Sequence, residues 1–260
     1  MTALAAQMAA EPAAARPSRW AEPPSGRRFY IGMAVACLLV SAVPFAPSMV
    51  DRSHRLGSAT ALVVVHGGLF FAWLLAFLAQ TILIGRGDYH AHLRLGIAAA
   101  ILAAAMVLVG YETAIAMTRR GFDFSGDLDL VHDPLGPRGQ LIFPLLDIAE
   151  FGLLIAAGLI LRHRSDYHKR LMLFATVALL PAPFAHFIGH SPALRPHGAL
   201  VVLPIVVSLA ASAARDLATF RRVHPVSFWV ALVMFVLDNL SATIVGHSTA
   251  WLRIVDRLVG

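Results

Sequence analysis

The sequence of 260 residues has a single cysteine and few charged residues, and each of these scarcities excludes a class of protein. Cys37 alone allows neither a disulfide within the chain nor a zinc site built from cysteines. Asp, Glu, Lys and Arg make up only 14% of the residues, whereas 58% are hydrophobic and the mean hydropathy is +0.72. A soluble domain of this size could not bury so much apolar side chain, so we expect a membrane protein.

Familiar reaction motifs are missing as well. The sequence has no nucleotide-binding loop, no G-x-S-x-G nucleophile elbow and no H-E-x-x-H zinc motif. The net charge of +6 is attributed to membrane topology and anionic lipid headgroups, because no soluble basic domain is present that would bind nucleic acid. The expected partner is therefore the lipid bilayer.

Long apolar stretches account for most of the chain. A helix that crosses a bilayer needs about 20 apolar residues, at about 1.5 Å of rise each. Such stretches predict an all-α, polytopic bundle of seven transmembrane helices, over residues 29–49, 59–85, 95–117, 139–161, 170–190, 197–219 and 225–246. The transmembrane domain is thus expected to cover residues 29–250.

Both ends of the chain are expected to lie outside this domain. Residues 1–28 are rich in Ala and Pro and are predicted to form a disordered tail, and residues 251–260 to form a short C-terminal tail. The N-terminal tail, the loops near 86–94 and 162–170, and segment 215–222 hold 13 of the 21 Lys and Arg residues. By the positive-inside rule, this bias favours a cytoplasmic N-terminus and an external C-terminus.

A weak internal repetition marks the expected cytoplasmic loops. The segments "DYHAHLRLG" (88–96) and "SDYHKRLML" (165–173) share Asp-Tyr-His and also a His-x-Arg-Leu pattern. A third turn, "RRVHPVSFW" (221–229), places a histidine before Pro225, which is tolerated in the first turn of a helix. We expect three hairpins, whose basic and histidine residues act as interfacial anchors.

These loops, with the terminal "STAWLRIVDRL", resemble a family of bacterial multi-helix inner-membrane proteins. The likeness covers most of residues 55–257, and it implies a multi-pass protein of the bacterial inner membrane with no established chemistry. The arrangement is also distantly similar to that of cytochrome b561-like haem proteins. It differs from them because its histidines on the cytoplasmic side lie in predicted loops, at His90, His92, His163, His168 and His224.

Seven-helix membrane hydrolases that use zinc, such as the alkaline ceramidase and progestin-receptor group, offer another analogy. They carry a histidine pair on the last helix, whereas the pair here, His186 and His190, lies on the fifth. Their catalytic residues therefore cannot be transferred to this sequence.

Ionisable residues inside the spans are the candidate functional residues, because a charge in hydrocarbon is costly. Five helices place such residues in the same outer half of the predicted bundle, about 5–12 Å from the outer edge of the membrane. Glu150 is expected slightly deeper, and His190 at the surface. No Lys or Arg lies at that depth, and Arg215 and Asp216 are near the inner end. The carboxyl groups must then be protonated, hydrogen-bonded, solvated or bound to a cation. We expect His186 and His190 to partner Asp147, Glu150 and Glu112.

A metal centre is the sharper hypothesis. Imidazole and carboxylate ligands together suit Zn, Fe or Mn, and histidines at i and i+4 can reach one ion. Pro181 and Pro183 are expected to kink the helix before these histidines and to open a cavity. The candidate metal ligands are His66, Glu112, Asp147, Glu150, His186, His190 and Asp238.

Haem b is the other cofactor considered. It would need axial histidines from two helices at similar depth, and His66 with His186 meets that demand. Two function classes therefore stay open. The protein is either a membrane metalloprotein, redox or hydrolytic, or a transporter, proton pathway or assembly factor that uses the same residues as protonatable relays.

Overall fold

The computed structural model describes residues 24–46, 53, 56–57, 60–123 and 128–260. All regular secondary structure within these residues is helical. The α-helices are α1 Pro24–Ala42, α2 Ala61–Arg86, α3 Tyr89–Arg120, α4 Gly136–Gln140, α5 Ile142–Ile160, α6 Ser165–Val177, α7 Pro181–His190, α8 Leu203–Phe220, α9 Pro225–Leu240 and α10 Thr249–Val259. Short 3₁₀ or π segments adjoin α1, α8 and α9 at Val43–Phe45, Arg195–Val202 and Ser241–Val245.

Among the described residues, seven segments are long and apolar enough to cross a membrane. They are Gly26–Phe45, Ala61–Arg86, Tyr89–Arg120, Gly136–Ile160, Ser165–His190, Arg195–Phe220 and Pro225–Val245. The predicted all-α bundle of seven spans is therefore confirmed, and most predicted boundaries lie within a few residues of the observed ones.

The two ends of the chain differ from the expectation. α1 begins at Pro24, so residues 24–28 are helical, while the rest of the predicted N-terminal tail lies outside the described residues. Residues 251–260 are not a simple tail, because they belong largely to helix α10. This helix buries Trp251 and Val255, which are four residues apart and share one face, and the indole of Trp251 donates to the Arg138 carbonyl at 3.1 Å.

Tight capping joins α2 to α3. Gly87 ends α2 in the left-handed conformation, with φ of 79°, and the Asp88 carboxylate accepts a hydrogen bond from the Ala91 amide at 2.9 Å. Residues 88–96, expected to be a loop, are therefore mostly the start of α3, and residues 165–173 are the start of α6. His92 and His168 consequently lie in helices.

The fifth span, formed by α6 and α7, occupies the centre of the bundle. Of the 18 residues that form its most apolar stretch, 61% are buried, compared with 17–33% in the corresponding stretches of the other spans. The apolar cores join α6 to α1, α2, α8 and α9 on one side and to α2, α3 and α5 on the other. A break between Val177 and Pro181 divides the span, where Pro181 begins α7, as the prolines predicted.

The bundle has two ends that carry different chemistry. At one end of the bundle, α2, α5 and α8 terminate and α3, α6 and α9 begin. We call this the Arg170 end. At this end Arg215 of α8 lies over the ring of Tyr30 in α1, 5.2 Å from its centre. The opposite end, which contains α4, the end of α7 and α10, is called the His186 end.

Candidate functional site

Three carboxyl groups lie together within the bundle, towards the His186 end. Asp147 and Glu150 are three residues apart on α5, so they share a face of that helix. Asp238 of α9 lies within electrostatic range of both, because α5 packs against α9. Each of the three side chains is less than a tenth exposed. We call these residues the carboxyl trio.

In the part of the chain that the structure describes, the carboxyl groups of the trio have few hydrogen bonds and no ion pairs that would compensate for their burial. Both carboxyl oxygens of Glu150 and Oδ2 of Asp238 are buried without a hydrogen-bond partner. No Lys, Arg or His among the described residues forms an ion pair with a member of the trio. Full ionisation would place three like charges side by side in a medium of low dielectric, which is unfavourable. The site must hold protons or a cation.

The described residues contain no group of three or more His, Cys, Asp or Glu side chains that could hold a metal ion. The trio is therefore not arranged as a preformed metal centre in this conformation. The three carboxyl groups are near enough to interact electrostatically, which favours binding of protons over full ionisation.

His186 has a partner that the sequence did not indicate. Its Nε2 lies 3.2 Å from a carboxylate oxygen of Asp123, in the segment after α3, and both side chains are about 6–7% exposed. Asp123 also accepts a hydrogen bond from the Leu128 amide at 2.6 Å. The expectation that His186 partners a carboxyl group of α5 is thus corrected. Asp123 was overlooked because it lies outside the apolar spans.

The other predicted site residues are dispersed. His190 is exposed, and its Nδ1 donates to the His186 carbonyl at 2.8 Å. Glu112 is exposed on α3, and His66 stacks on Phe70 of its own helix with the ring centres 4.2 Å apart. The structure therefore brings Asp147, Glu150 and Asp238 together, and it gives His66 and His186, the predicted haem ligands, separate neighbours.

A second buried polar group, at the Arg170 end, was missed by sequence reasoning. The guanidinium of Arg170 donates to the carboxylate of Asp216, and these side chains are only 2% and 1% exposed. Asp216 also accepts from the hydroxyl of Ser227 at 2.7 Å and from the amide of His224 at 3.1 Å. Together with Asp166, whose carbonyl accepts from Arg170 at 2.8 Å, these residues form the Arg170 cluster.

His224 has a defined tautomer in this cluster. Its Nδ1 accepts a hydrogen bond from the Val226 amide at 3.1 Å, which caps the start of α9. The proton of the neutral ring therefore lies on Nε2, which is 3.5 Å from a carboxylate oxygen of Asp166. Burial, followed by the charge of Arg170, lowers the pKa of His224 to about 4, against the opposing effect of Asp166.

No buried side-chain nitrogen or oxygen of the Arg170 cluster lacks a hydrogen-bond partner. The cluster links α6, α8 and α9. The cluster thus holds three helices together. The sequence signal that could have indicated it is one basic residue near the start of span 5 and one acidic residue near the end of span 6.

Comparisons with protein families, with curated proteins and with solved structures gave no match to this chain.

Proposed function

We propose that this integral membrane protein is a proton pathway or proton-coupled transporter in which the carboxyl trio takes up and releases protons. The supporting observation is that both oxygens of Glu150 are buried without hydrogen-bond partners beside two other carboxyl groups. Groups of this kind in a membrane are costly, and they are typical of sites through which protons or ions pass.

The surroundings of the trio support transport in two steps. Large buried side chains, among them Trp73, Phe151 and Met106, lie within the apolar core between the trio and the Arg170 end. A proton on the trio would be separated from the Arg170 end by this core. Transfer across the membrane then requires a rearrangement, and the break before Pro181 in the central span is a suitable hinge.

The proposal includes an orientation and a location. The positive-inside bias supports a cytoplasmic Arg170 end, so the trio would exchange protons with the external side of a bacterial inner membrane. A reporter that is active only in the periplasm, fused after residue 250, is expected to give a signal. Activity of a cytoplasmic reporter at the same junction would reverse the orientation.

Proton flux into lipid vesicles tests the function. Vesicles containing the purified protein and a pH-sensitive dye are driven by a potassium diffusion potential. We expect flux with the wild-type protein, at least a tenfold loss in Glu150→Gln and Asp238→Asn, and unchanged flux in Asp256→Asn, which alters an exposed carboxyl group. Flux that persists in both trio variants would contradict the proposal.

A separate experiment tests whether the trio binds protons or a metal ion. Dicyclohexylcarbodiimide reacts with protonated carboxyl groups in apolar surroundings, so mass spectrometry should find its adduct on Asp147, Glu150 or Asp238 of the wild-type protein. Elemental analysis of the same preparation covers the metal hypothesis. A stoichiometric metal ion that is lost in Asp147→Asn, with no adduct at the trio, would overturn the assignment of protons to this site.

A further inference from the structure

Two histidines from different helices face each other at the Arg170 end, outside both groups described above. His92 lies in the first turn of α3 and His168 in the first turn of α6. Their ring centres are 6.5 Å apart and their planes are nearly perpendicular, at 84°. Both side chains are half-buried. Interfacial anchoring alone would not require the two rings to meet.

His168 is held in the orientation of a ligand. Its Nδ1 lies 2.8 Å from the Gly158 carbonyl of α5, and because a carbonyl can only accept, this nitrogen carries the ring proton. The lone pair of Nε2 is therefore available. Metal-binding histidines characteristically donate their other ring N–H to a carbonyl or carboxylate in this way, which fixes both the tautomer and the ring orientation.

His92 has a buried ring nitrogen without a hydrogen-bond partner. Its Nδ1 is buried with no hydrogen-bond partner, and Oε1 of Gln80 on α2 is buried without one as well. No hydrogen bond links the His92 ring to that of His168 in the part of the chain that the structure describes. Buried polar atoms are nearly always satisfied, so a partner for the His92 ring is missing at this position.

We propose that His92 and His168 bind one copper(I) ion between their rings. A metal–nitrogen bond of about 2 Å, with about 1 Å more from nitrogen to ring centre, puts two collinear imidazoles on one ion about 6 Å apart, centre to centre. The observed separation of 6.5 Å is close to this value. Perpendicular ring planes are compatible with it, because each ring can rotate about its metal–nitrogen bond.

The small number of ligands selects the metal. Zinc in structural sites takes four ligands, whereas the described residues offer no group of three or more His, Cys, Asp or Glu side chains. Copper(I) accepts two nitrogen ligands in line.

Copper(I) titration under anaerobic conditions, in competition with the chromogenic chelator bicinchoninate, tests the site on the full-length protein in detergent. The wild-type protein is expected to withdraw one equivalent of copper. His92→Gln and His168→Gln should lose this binding, whereas His90→Gln and His163→Gln, which alter exposed histidines at the same end, should keep it. Failure of the wild-type protein to withdraw copper, or retention by the first two variants, would overturn the proposal.

A second measurement needs no variant. Diethyl pyrocarbonate modifies accessible imidazole nitrogens, and copper(I) is expected to protect His92 and His168 of the wild-type protein while leaving His90 and His163 reactive. Equal modification with and without copper, or protection by zinc but not by copper, would contradict the assignment. The proposal is independent of the carboxyl trio, so vesicle proton flux can fail or succeed without affecting it.

Discussion

The Arg170 cluster and the carboxyl trio are both buried polar groups of one helix bundle, and they differ in how their charges are compensated. In the cluster, Asp216 accepts hydrogen bonds from Arg170, Ser227 and the amide of His224. In the trio, both oxygens of Glu150 and one of Asp238 have no hydrogen-bond partner. Burial alone therefore does not identify a functional charge. Burial without compensation is what supports the proposed function of the trio, because folding alone gives no reason to retain such a group.

The largest expected effect comes from breaking the compensated pair. Arg170→Met would leave the Asp216 carboxylate buried without its cation, and loss of one partner of a buried ion pair costs about 3–5 kcal/mol. We expect a decrease of this size in the free energy of unfolding, measured by denaturation in detergent. Arg170→Met together with Asp216→Leu should recover most of the loss. If the double variant were as unstable as the single one, the pair would not be the cause.

The next effect is a pH dependence that arises from His224. Its pKa is about 4 in the folded protein and about 6.5 when unfolded, so the unfolded chain binds more protons between these values. The stability that the folded protein gains from a neutral His224 is therefore fully present above pH 6.5. It is lost as the pH falls towards 4, which lowers the free energy of unfolding by about 3 kcal/mol in total.

His224→Asn isolates this contribution, because Asn still caps α9 but does not titrate. The unfolding free energy of the variant should depend less steeply on pH over that range than that of the wild-type protein. Measurements at several pH values in one detergent compare the two slopes. Identical slopes would show that His224 does not titrate on unfolding.

Removing a carboxyl group from the trio should have the opposite effect on the free energy of unfolding. Glu150→Met removes two buried oxygens that have no hydrogen-bond partner and keeps a similar volume. Because an unsatisfied buried polar group costs about 1–3 kcal/mol, we expect the unfolding free energy to stay level or to rise by about 1–2 kcal/mol, with loss of proton flux. A marked destabilisation would indicate that Glu150 has a structural role like that of Asp216.

Sequence reasoning succeeded where a single helix determines the outcome. The length of each apolar run predicted the spans, and Pro181 predicted the break in the central one. The spacing of Asp147 and Glu150 predicted their shared face. The sequence also has no Lys or Arg at their depth, and in the described part of the chain no Lys, Arg or His forms an ion pair with the trio.

It failed where the outcome depends on which helices are neighbours. Arg170 and Asp216 are 46 residues apart, and their contact requires that the central span lies beside α8 with a particular rotation. His186 was assigned to the carboxyl groups of α5 because Asp123, its actual partner, lies in the segment after α3, which hydropathy does not position. Depth in the membrane can be counted along a sequence, whereas rotation and adjacency are set by packing over the whole bundle.

The smallest expected effect concerns an ion pair that resembles the Arg170 pair in chemistry but not in burial. Arg138 and Asp256 are 3.1 Å apart and 63% and 52% exposed, so water already solvates both charges. Asp256→Asn should lower the unfolding free energy by less than about 1 kcal/mol, and this small effect should vanish at high salt. α10 should remain docked, because the bond from the Trp251 indole to the Arg138 carbonyl is unaffected. A loss comparable with that of Arg170→Met would show that pairing, rather than burial, determines the contribution of these charges to stability.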